Sequence, residues 1–431
     1  MKSPKNQPFH VEMDSLQIKR AMKRALPPAG HKIRLFSIFE SMWGNSKGKE
    51  FLKRLSLNSP ALYLSSGTAA LTFALQTLKE INKKEKVVLP AYSCPSIIAA
   101  VIRAGLIPVL CDLKGNSFQL DLDQLSSKLG PETLAVIAVH LFGIPEDVIE
   151  IRRMVQGKGV FLIEDAAQAF GNRLHLESLR RGAGQSTQSA PYLGTLGDVG
   201  ILSFGRGKPF TLLSGGAVLI NNPHLLVQFQ NCYNFLPEST QTKIGSYLLN
   251  LFLYSIFYHP QLYWIPQRIP WLKLGETIFS LTFKIEKINS LSLQLARKNI
   301  SDIPMIREIR LKLTRIYIER LKGFADEFEF FPESYGSEIA LNRFPVIFKR
   351  QKMANQVLRQ LKRLGLGATG MYNVPLHELE GISKYLPGGE PQPHSKFIAE
   401  RILTLPLHEY VLKEDADLIY QIFTEYMKNE S

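Results

Sequence analysis

Seven short apolar runs lie between Ala61 and Ile220: "ALYLS" (61–65), "KVVLP" (86–90), "IPVLCD" (107–112), "LAVIAVH" (134–140), "VFLIED" (160–165), "GILSF" (200–204) and "GAVLI" (216–220). Several are separated by amphipathic stretches of helix length, such as "TAALTFALQTLKEI" (68–81) and "PSIIAAVIRAG" (95–105). Continuous apolar strands interleaved with helices predict a mainly parallel sheet covered on both faces. In such sheets, sites lie outside the carboxyl ends of the strands. That rule directs attention to the residues that end each run.

The rest of the chain fits this frame. With 431 residues, 45% of them hydrophobic and 21% charged, the chain can bury a large core and divide into a large and a small domain. Its three cysteines, Cys94, Cys111 and Cys232, have no CxxC spacing, which argues against a disulfide framework and a zinc site. The N-terminus lacks the apolar core of a signal peptide, so the sequence reads as cytosolic. A net charge of +14 is spread over runs such as "KRAMKR" and "REIRLKLTR". Each run alone reads as a solvated helix face. Together they favour anionic company, either phosphorylated substrates or an anionic membrane surface. No nucleic-acid-binding module is recognisable.

Three strand ends carry complementary chemistry. In "LYLSSGTAAL" a strand passes through Ser65-Ser66-Gly67-Thr68 into a helix. The open N–H groups of that first helical turn suit a phosphate, although Ser and Thr also cap helices that bind nothing. In "VFLIEDAAQAFG" an apolar strand runs into Glu164-Asp165, with Gln168 three residues on. A carboxylate there is costly unless a cation meets it. Asp165 reads as a helix N-cap, or as the partner of a protonated ring nitrogen or a metal. The metal reading lacks a second carboxylate or histidine at useful spacing.

The third stretch, "LSFGRGKPF", sets Lys208 in a glycine-lined turn between apolar strands. It is not a phosphate-binding P-loop, which needs glycine in place of Leu202 and Ser or Thr in place of Pro209. A lysine at a strand end, near a phosphate site and a buried carboxylate, suggests Schiff-base chemistry on pyridoxal phosphate.

These stretches, with "VLPAYSCPSIIAAVIRAGLIPVLCDL", "VHLFG", "LLSGGAVLIN" and the C-terminal "ERILTLPLHEYVLKEDADLI", resemble in order and spacing the DegT/DnrJ/EryC1/StrS sugar aminotransferases. The resemblance implies an α/β fold of type I among pyridoxal-phosphate enzymes, like that of aspartate aminotransferase. Its central sheet would be mainly parallel and seven-stranded, beside a smaller C-terminal αβ domain. It implies Lys208 as the Schiff-base lysine, Asp165 against the pyridinium nitrogen and Gln168 near the phenolic oxygen. Ser66, Gly67, Thr68 and Ser203 would surround the phosphate. Ser93 and Cys94 would lie along the ring, where many members have an aromatic residue, and Tyr92 is another candidate for that cover. Arg206, Tyr372 and His377 are candidates for substrate contact, while His140 reads as a satisfied strand-end histidine. The implied reaction moves an amino group from an amino acid, usually glutamate, to a keto-sugar, usually nucleotide-linked. The implied assembly is a homodimer. A dehydratase branch of the family has histidine in place of the lysine, and Lys208 argues against it.

Two regions depart from the family pattern. The link from Arg173 to Thr195 is enlarged, and a hydrophobic segment, 243–283, stands where a partner-subunit loop is expected. Its longest apolar run, Tyr247 to Tyr258, is too short to span a bilayer. It reads either as packed against the domain or a second subunit, or as lying in a membrane interface. The second choice would suit an enzyme acting on a lipid-linked acceptor. A scaffold without cofactor is the remaining alternative, and the pairing of Lys208 with Asp165 speaks against it. The expected organisation is an N-terminal helical segment (1–58), a large cofactor-binding domain (59–301) and a small C-terminal domain (302–431).

Overall fold

All seven apolar runs form strands in the computed structural model, which describes residues 24–43, 51–53, 59–115, 117–174, 190–239, 242–269, 278–333, 338–386 and 390–428. They are β1 (Ala61–Leu64), β2 (Lys86–Pro90), β3 (Ile107–Cys111), β4 (Thr133–Val139), β5 (Phe161–Asp165), β6 (Val199–Ser203) and β7 (Gly216–Ile220). They make one seven-stranded sheet in the order β1-β7-β6-β5-β4-β2-β3. Only β7 runs against its neighbours, pairing antiparallel with both β1 and β6. The central strands are buried along their length, as a sheet covered on both faces requires.

Helices in chain order are α1 (Leu35–Met42), α2 (Gly67–Ile81), α3 (Pro95–Arg103), α4 (Leu122–Lys128), α5 (Val148–Val155), α6 (Leu226–Asn234), α7 (Thr242–Phe257) and α8 (Pro260–Gln267). They continue as α9 (Ser290–Asn299), α10 (Ile303–Leu321), α11 (Gln351–Arg363), α12 (Pro393–Arg401) and α13 (Lys413–Lys428). A second, antiparallel sheet joins β8 (Phe328–Phe330), β9 (Phe344–Phe348) and β10 (Ile402–Leu405) in the order β10-β9-β8. The expected α/β architecture, with a large mainly parallel sheet and a smaller αβ unit, is the one observed.

Most of the expected N-terminal helical segment lies outside the described residues, as does most of the enlarged link after Arg173. Of the described part, Arg24–Arg34 has no regular structure and Leu35–Met42 is α1. Residues 24–32 are tied down by the C-terminal unit. Leu26 N–H donates to Gly365 O at 2.7 Å, Arg24 pairs with Asp415 at 2.5 Å, and Lys32 N–H reaches Glu409 at 2.6 Å.

In the hydrophobic segment, of which residues 270–277 lie outside the described residues, the chain forms α7 and α8. Tyr247, Leu251, Tyr254 and Tyr258 fall on one face and are buried against Leu212, Phe210 and the strand face beneath. Each phenol then finds a backbone acceptor: Tyr247 gives its proton to Leu212 O at 2.7 Å, Tyr254 to His31 O at 2.9 Å and Tyr258 to Ala29 O at 3.4 Å. The other side of α7 keeps Leu249, Leu253 and Ile256 exposed. Beside it, α1 exposes Phe36, Phe39, Met42 and the adjoining Trp43. The two helices meet through Phe39 and Phe252, whose ring centroids are 5.4 Å apart. Among the described residues no helix is long and apolar enough to cross a membrane.

Candidate active site

Parallel pairing sets the strand ends side by side. Asp165 at the end of β5 is in register with Val139 of β4 and Ile201 of β6. Here a cavity of about 810 Å³ opens, within the usual range for small-molecule sites. Gly67, Thr68, Cys94, Asp165, Gln168, Ser203, Arg206, Lys208 and Tyr372 all line it. Ser66, Ser93 and His377 do not.

The first strand end is the start of α2. Ser66 is its N-cap, its Oγ accepting the Ala69 N–H at 3.0 Å. Gly67 is required by close approach: a Cβ there would lie 2.7 Å from Ser203 Cβ. The helix N-terminus and the end of β6 therefore border the same corner, a position suited to an anion.

Asp165 is buried beneath that corner. Its Oδ1 accepts the Ala167 N–H at 2.9 Å, whereas Oδ2 takes no hydrogen bond from the described residues. Burial raises its pKa; the charge of Lys208, then the Ala167 N–H and His140, pull the other way. A cation against Oδ2 would reverse the balance.

Neighbouring Glu164 has a structural task. It accepts the N–H groups of Gly194 (2.9 Å), Leu196 and Gly197, fixing the approach to β6. His140 meets Glu164 at 3.0 Å through Nε2, while its Nδ1 accepts the Glu146 N–H at 3.0 Å. Nε2 must therefore carry the proton and donate it to Glu164. The satisfied strand-end histidine expected from sequence is what the structure contains.

Lys208 follows Gly207, whose φ of +74° lies in the left-handed region that favours glycine. Its Nζ makes no hydrogen bond or ion pair with the described residues, so the amine is free to react. Arg206, exposed on the same turn, likewise has no partner among them.

Of the three residues expected along a cofactor ring, Tyr92, Ser93 and Cys94, only Cys94 reaches the cavity. Tyr92 and Ser93 are both buried away from the cavity. Tyr92 donates to Met371 O at 2.9 Å and Ser93 to Pro90 O at 3.3 Å. Cys94 lines the cavity, and Tyr372 comes beside it from the C-terminal unit. The Tyr372 hydroxyl accepts from Gln168 Nε2 at 3.2 Å, and its ring meets Tyr92 edge-on at 5.9 Å. Met371 and Tyr372 have φ of +23° and +42°, an uncommon conformation that turns this segment toward the cavity. His377 sits on the turn Leu376–Glu378, 3.8 Å from Glu378.

Sequence reasoning missed the opposite wall. It is made by Pro27, Leu253, Tyr254, Phe257, Tyr263 and Ile265, with Asn342 and Arg343 beside them. Asn342 Nδ2 donates to Gly207 O at 3.2 Å and so braces the turn that carries Lys208. Taken together, the cavity offers an anion site, a carboxylate with a free oxygen and an unpartnered amine. This donor set fits a compact group bearing a phosphate, a cationic ring nitrogen and an aldehyde.

Residues 49–424 match the DegT/DnrJ/EryC1/StrS aminotransferase family, and the chain belongs to it. Over 190 residues it is 30% identical to a GDP-perosamine synthase of Vibrio cholerae, covering 42% of this chain and 47% of that protein. It is also 30% identical over 177 residues to a dTDP-4-dehydro-2,3,6-trideoxy-D-glucose 4-aminotransferase of Saccharopolyspora spinosa, covering 41% and 42%. These matches span about half the length of the relatives or less. A putative sugar aminotransferase of Streptococcus pneumoniae has the same fold, with a TM-score of 0.71, 19% identity and coverage of 94% and 99%. So does PseC of Helicobacter pylori, with a TM-score of 0.70, 15% identity and the same coverage.

Proposed function

We propose that the protein is a pyridoxal-phosphate-dependent aminotransferase that moves an amino group from an amino acid, glutamate in the first instance, to a nucleotide-linked keto-sugar in glycan biosynthesis. One observation carries this reading: Lys208, Asp165 and the N-terminus of α2 converge on one cavity at the strand ends. Family membership and the printed activities of the sugar aminotransferase relatives support it.

The roles follow from placement. Gly67, Thr68 and Ser203 would hold the phosphate with the capped start of α2. Asp165 Oδ2 would pair with the ring nitrogen and keep it protonated, Gln168 would serve the phenolic oxygen, and Cys94 and Tyr372 would flank the ring. Bound there, the cofactor supplies an electron sink for the carbon that loses its proton. Lys208 would anchor it through Nζ, and a free Nζ would take the proton from that carbon and return it as general base and then general acid.

The exposed apolar face shared by α1 and α7, of which Leu253 also lines the cavity, suits a second copy of the chain, so the expected assembly is a homodimer. The three free cysteines suit a reducing, cytoplasmic setting. The small domain is taken to begin near Asp302, where α10 starts. A second reading keeps the cofactor and changes the acceptor to a lipid-linked sugar at a membrane surface. It is supported by the apolar wall of Leu253, Phe257, Ile265, Pro266 and Ile269. Flotation with anionic liposomes separates the two; a dimer that stays unbound argues for the nucleotide-linked acceptor.

The deciding experiment adds pyridoxal phosphate to the purified protein and to Lys208→Ala. A visible band that borohydride bleaches in the first and that never forms in the second, followed by loss of the band on adding L-glutamate, is the expected result. A folded wild-type protein that forms no band overturns the reading.

A further inference from the structure

Four non-glycine residues among those described have a left-handed backbone: Phe142 (φ +57°), Leu213 (φ +62°), Met371 (φ +23°) and Tyr372 (φ +42°). Leu213, Met371 and Tyr372 line the cavity, and Phe142 is tied to it through Gln168. Such conformations cost free energy, and bulky residues keep them only where the surroundings impose them. Two of the four meet on one side chain. The Phe142 N–H donates to Gln168 Oε1 at 3.1 Å, and Gln168 Nε2 donates to the Tyr372 hydroxyl at 3.2 Å.

A backbone N–H can only donate, so this pairing orients the amide: its oxygen faces Phe142 and its NH2 group faces Tyr372. Nε2 carries a second N–H, and no described residue supplies an acceptor for it. Gln168 is 5% exposed and lines the cavity three residues beyond Asp165. A buried amide with an unused donor is costly unless a ligand takes that donor. Filling space does not explain it, because an apolar side chain would fill the same volume without two strained partners.

Tyr372 is itself held from behind. The Tyr92 hydroxyl donates to Met371 O at 2.9 Å and the Leu376 N–H to Ala91 O at 2.8 Å, so the loop after β2 grips the segment on both sides of Tyr372. Burial, then Cys94 and Tyr92, push the phenol well above its usual 10 against the charge of Arg343, and Tyr372 stays neutral. On the other side of the amide stand Asp165, Lys208 and His140. A neutral phenol from the C-terminal unit therefore fixes an amide beside the Asp165–Lys208 pair without adding charge there.

Resting on the aminotransferase reading, we propose that Tyr372 is a positioning residue: it holds Gln168 so that the second amide N–H is presented to the cofactor's phenolic oxygen, and the C-terminal unit thereby sets how tightly the bound cofactor keeps its proton. The test compares wild type, Tyr372→Phe, Gln168→Leu and the double variant. Each is loaded with pyridoxal phosphate and titrated with pH while the visible cofactor band is followed. A donor at that oxygen stabilises the deprotonated form, so loosening it moves the midpoint upward. The midpoint is expected to rise by roughly 0.4–1 pH unit in Tyr372→Phe, the worth of one neutral hydrogen bond, and at least as far in Gln168→Leu. The double variant should rise no further than Gln168→Leu, because Tyr372 acts through the amide. The melting temperature of cofactor-free Tyr372→Phe should stay close to that of wild type.

An unchanged or lowered midpoint in Tyr372→Phe overturns the proposal. So does a shift that persists undiminished in the Gln168→Leu background, which would place the phenol in direct contact with the cofactor. A large fall in the melting temperature of cofactor-free Tyr372→Phe makes the residue a structural brace and overturns it as well. A folded wild-type protein that forms no band overturns the aminotransferase reading itself, an outcome distinct from a band whose midpoint ignores Tyr372.

Discussion

The two walls of the cavity are built by different means. One is a row of strand ends: Gly67 and Thr68 after β1, Asp165 and Gln168 after β5, and Ser203 and Lys208 after β6. The other is assembled from α7, α8, the N-terminal segment and the residues around β9. The first wall is polar and held by the register of one sheet, so its groups stay where the backbone puts them. The second is mostly apolar and held by side-chain packing, with three phenol-to-backbone bonds pinning α7. A chemically fixed wall facing a packed and adaptable one separates what the site does from what it accepts.

The largest expected effect lies on the strand-end wall. Asp165→Asn removes the charge proposed to hold a ring nitrogen protonated while leaving the fold intact. The rate of the glutamate half-reaction should fall roughly 10²–10³-fold, the range for losing one preorganised electrostatic partner. A stopped-flow rate close to wild type would break the assignment of Asp165.

Next comes the anchoring of the packed wall. Leu251 is fully buried under α7. Leu251→Ala should cost about 2–5 kcal/mol of stability in urea unfolding. Cofactor uptake through Lys208 should survive in the folded fraction; if uptake is lost together with α7, the walls are not independent.

A smaller effect is expected at the cavity surface. Phe257→Ala removes apolar lining without touching any strand end. It should raise the acceptor's KM about 5- to 30-fold, corresponding to roughly 1–2 kcal/mol of lost apolar contact, with the glutamate titration unchanged. An equal effect on donor and acceptor would show that α7 shapes both subsites.

A pH-dependent effect concerns the support behind the strand ends. Burial pushes Glu146 up to about 8 from an ordinary 4.5, against the N–H groups of Asp147 and Leu120. Between those values the unfolded chain is ionised while the folded carboxyl keeps its proton. Stability should therefore fall as pH rises from about 5 to about 8. Glu146→Gln should flatten that slope in urea titrations, and an unaltered slope would place the charge inside the fold.

The strand-end wall was legible because each of its residues ends a readable apolar run, and one sheet brings all such ends to one edge. Glu164 shows the limit of that reasoning. It occupies a strand end as Asp165 does, yet alternation turns it to the opposite face, where it gathers the N–H groups before β6. Tyr372 and Arg343 lie well over 100 residues from the motifs they join; Tyr372 was expected at the substrate rather than beside Cys94, and no local pattern announces Arg343. The hydrophobic segment was read correctly as apolar, but whether it met protein or lipid depended on what stood beneath it.

By itself, the sequence determined the order of strands and helices, the parallel sheet and the strand-end positions of Asp165 and Lys208. Periodicity and strand-end placement are local properties that a chain carries whatever its surroundings. Only the tertiary structure decided that α7 and α8 close over those groups, that Tyr372 replaces Tyr92 beside Cys94, and that Arg343 stands in the wall without an anion. Those outcomes follow from packing between distant segments, where shape and burial select the partner and no spacing in the chain encodes it.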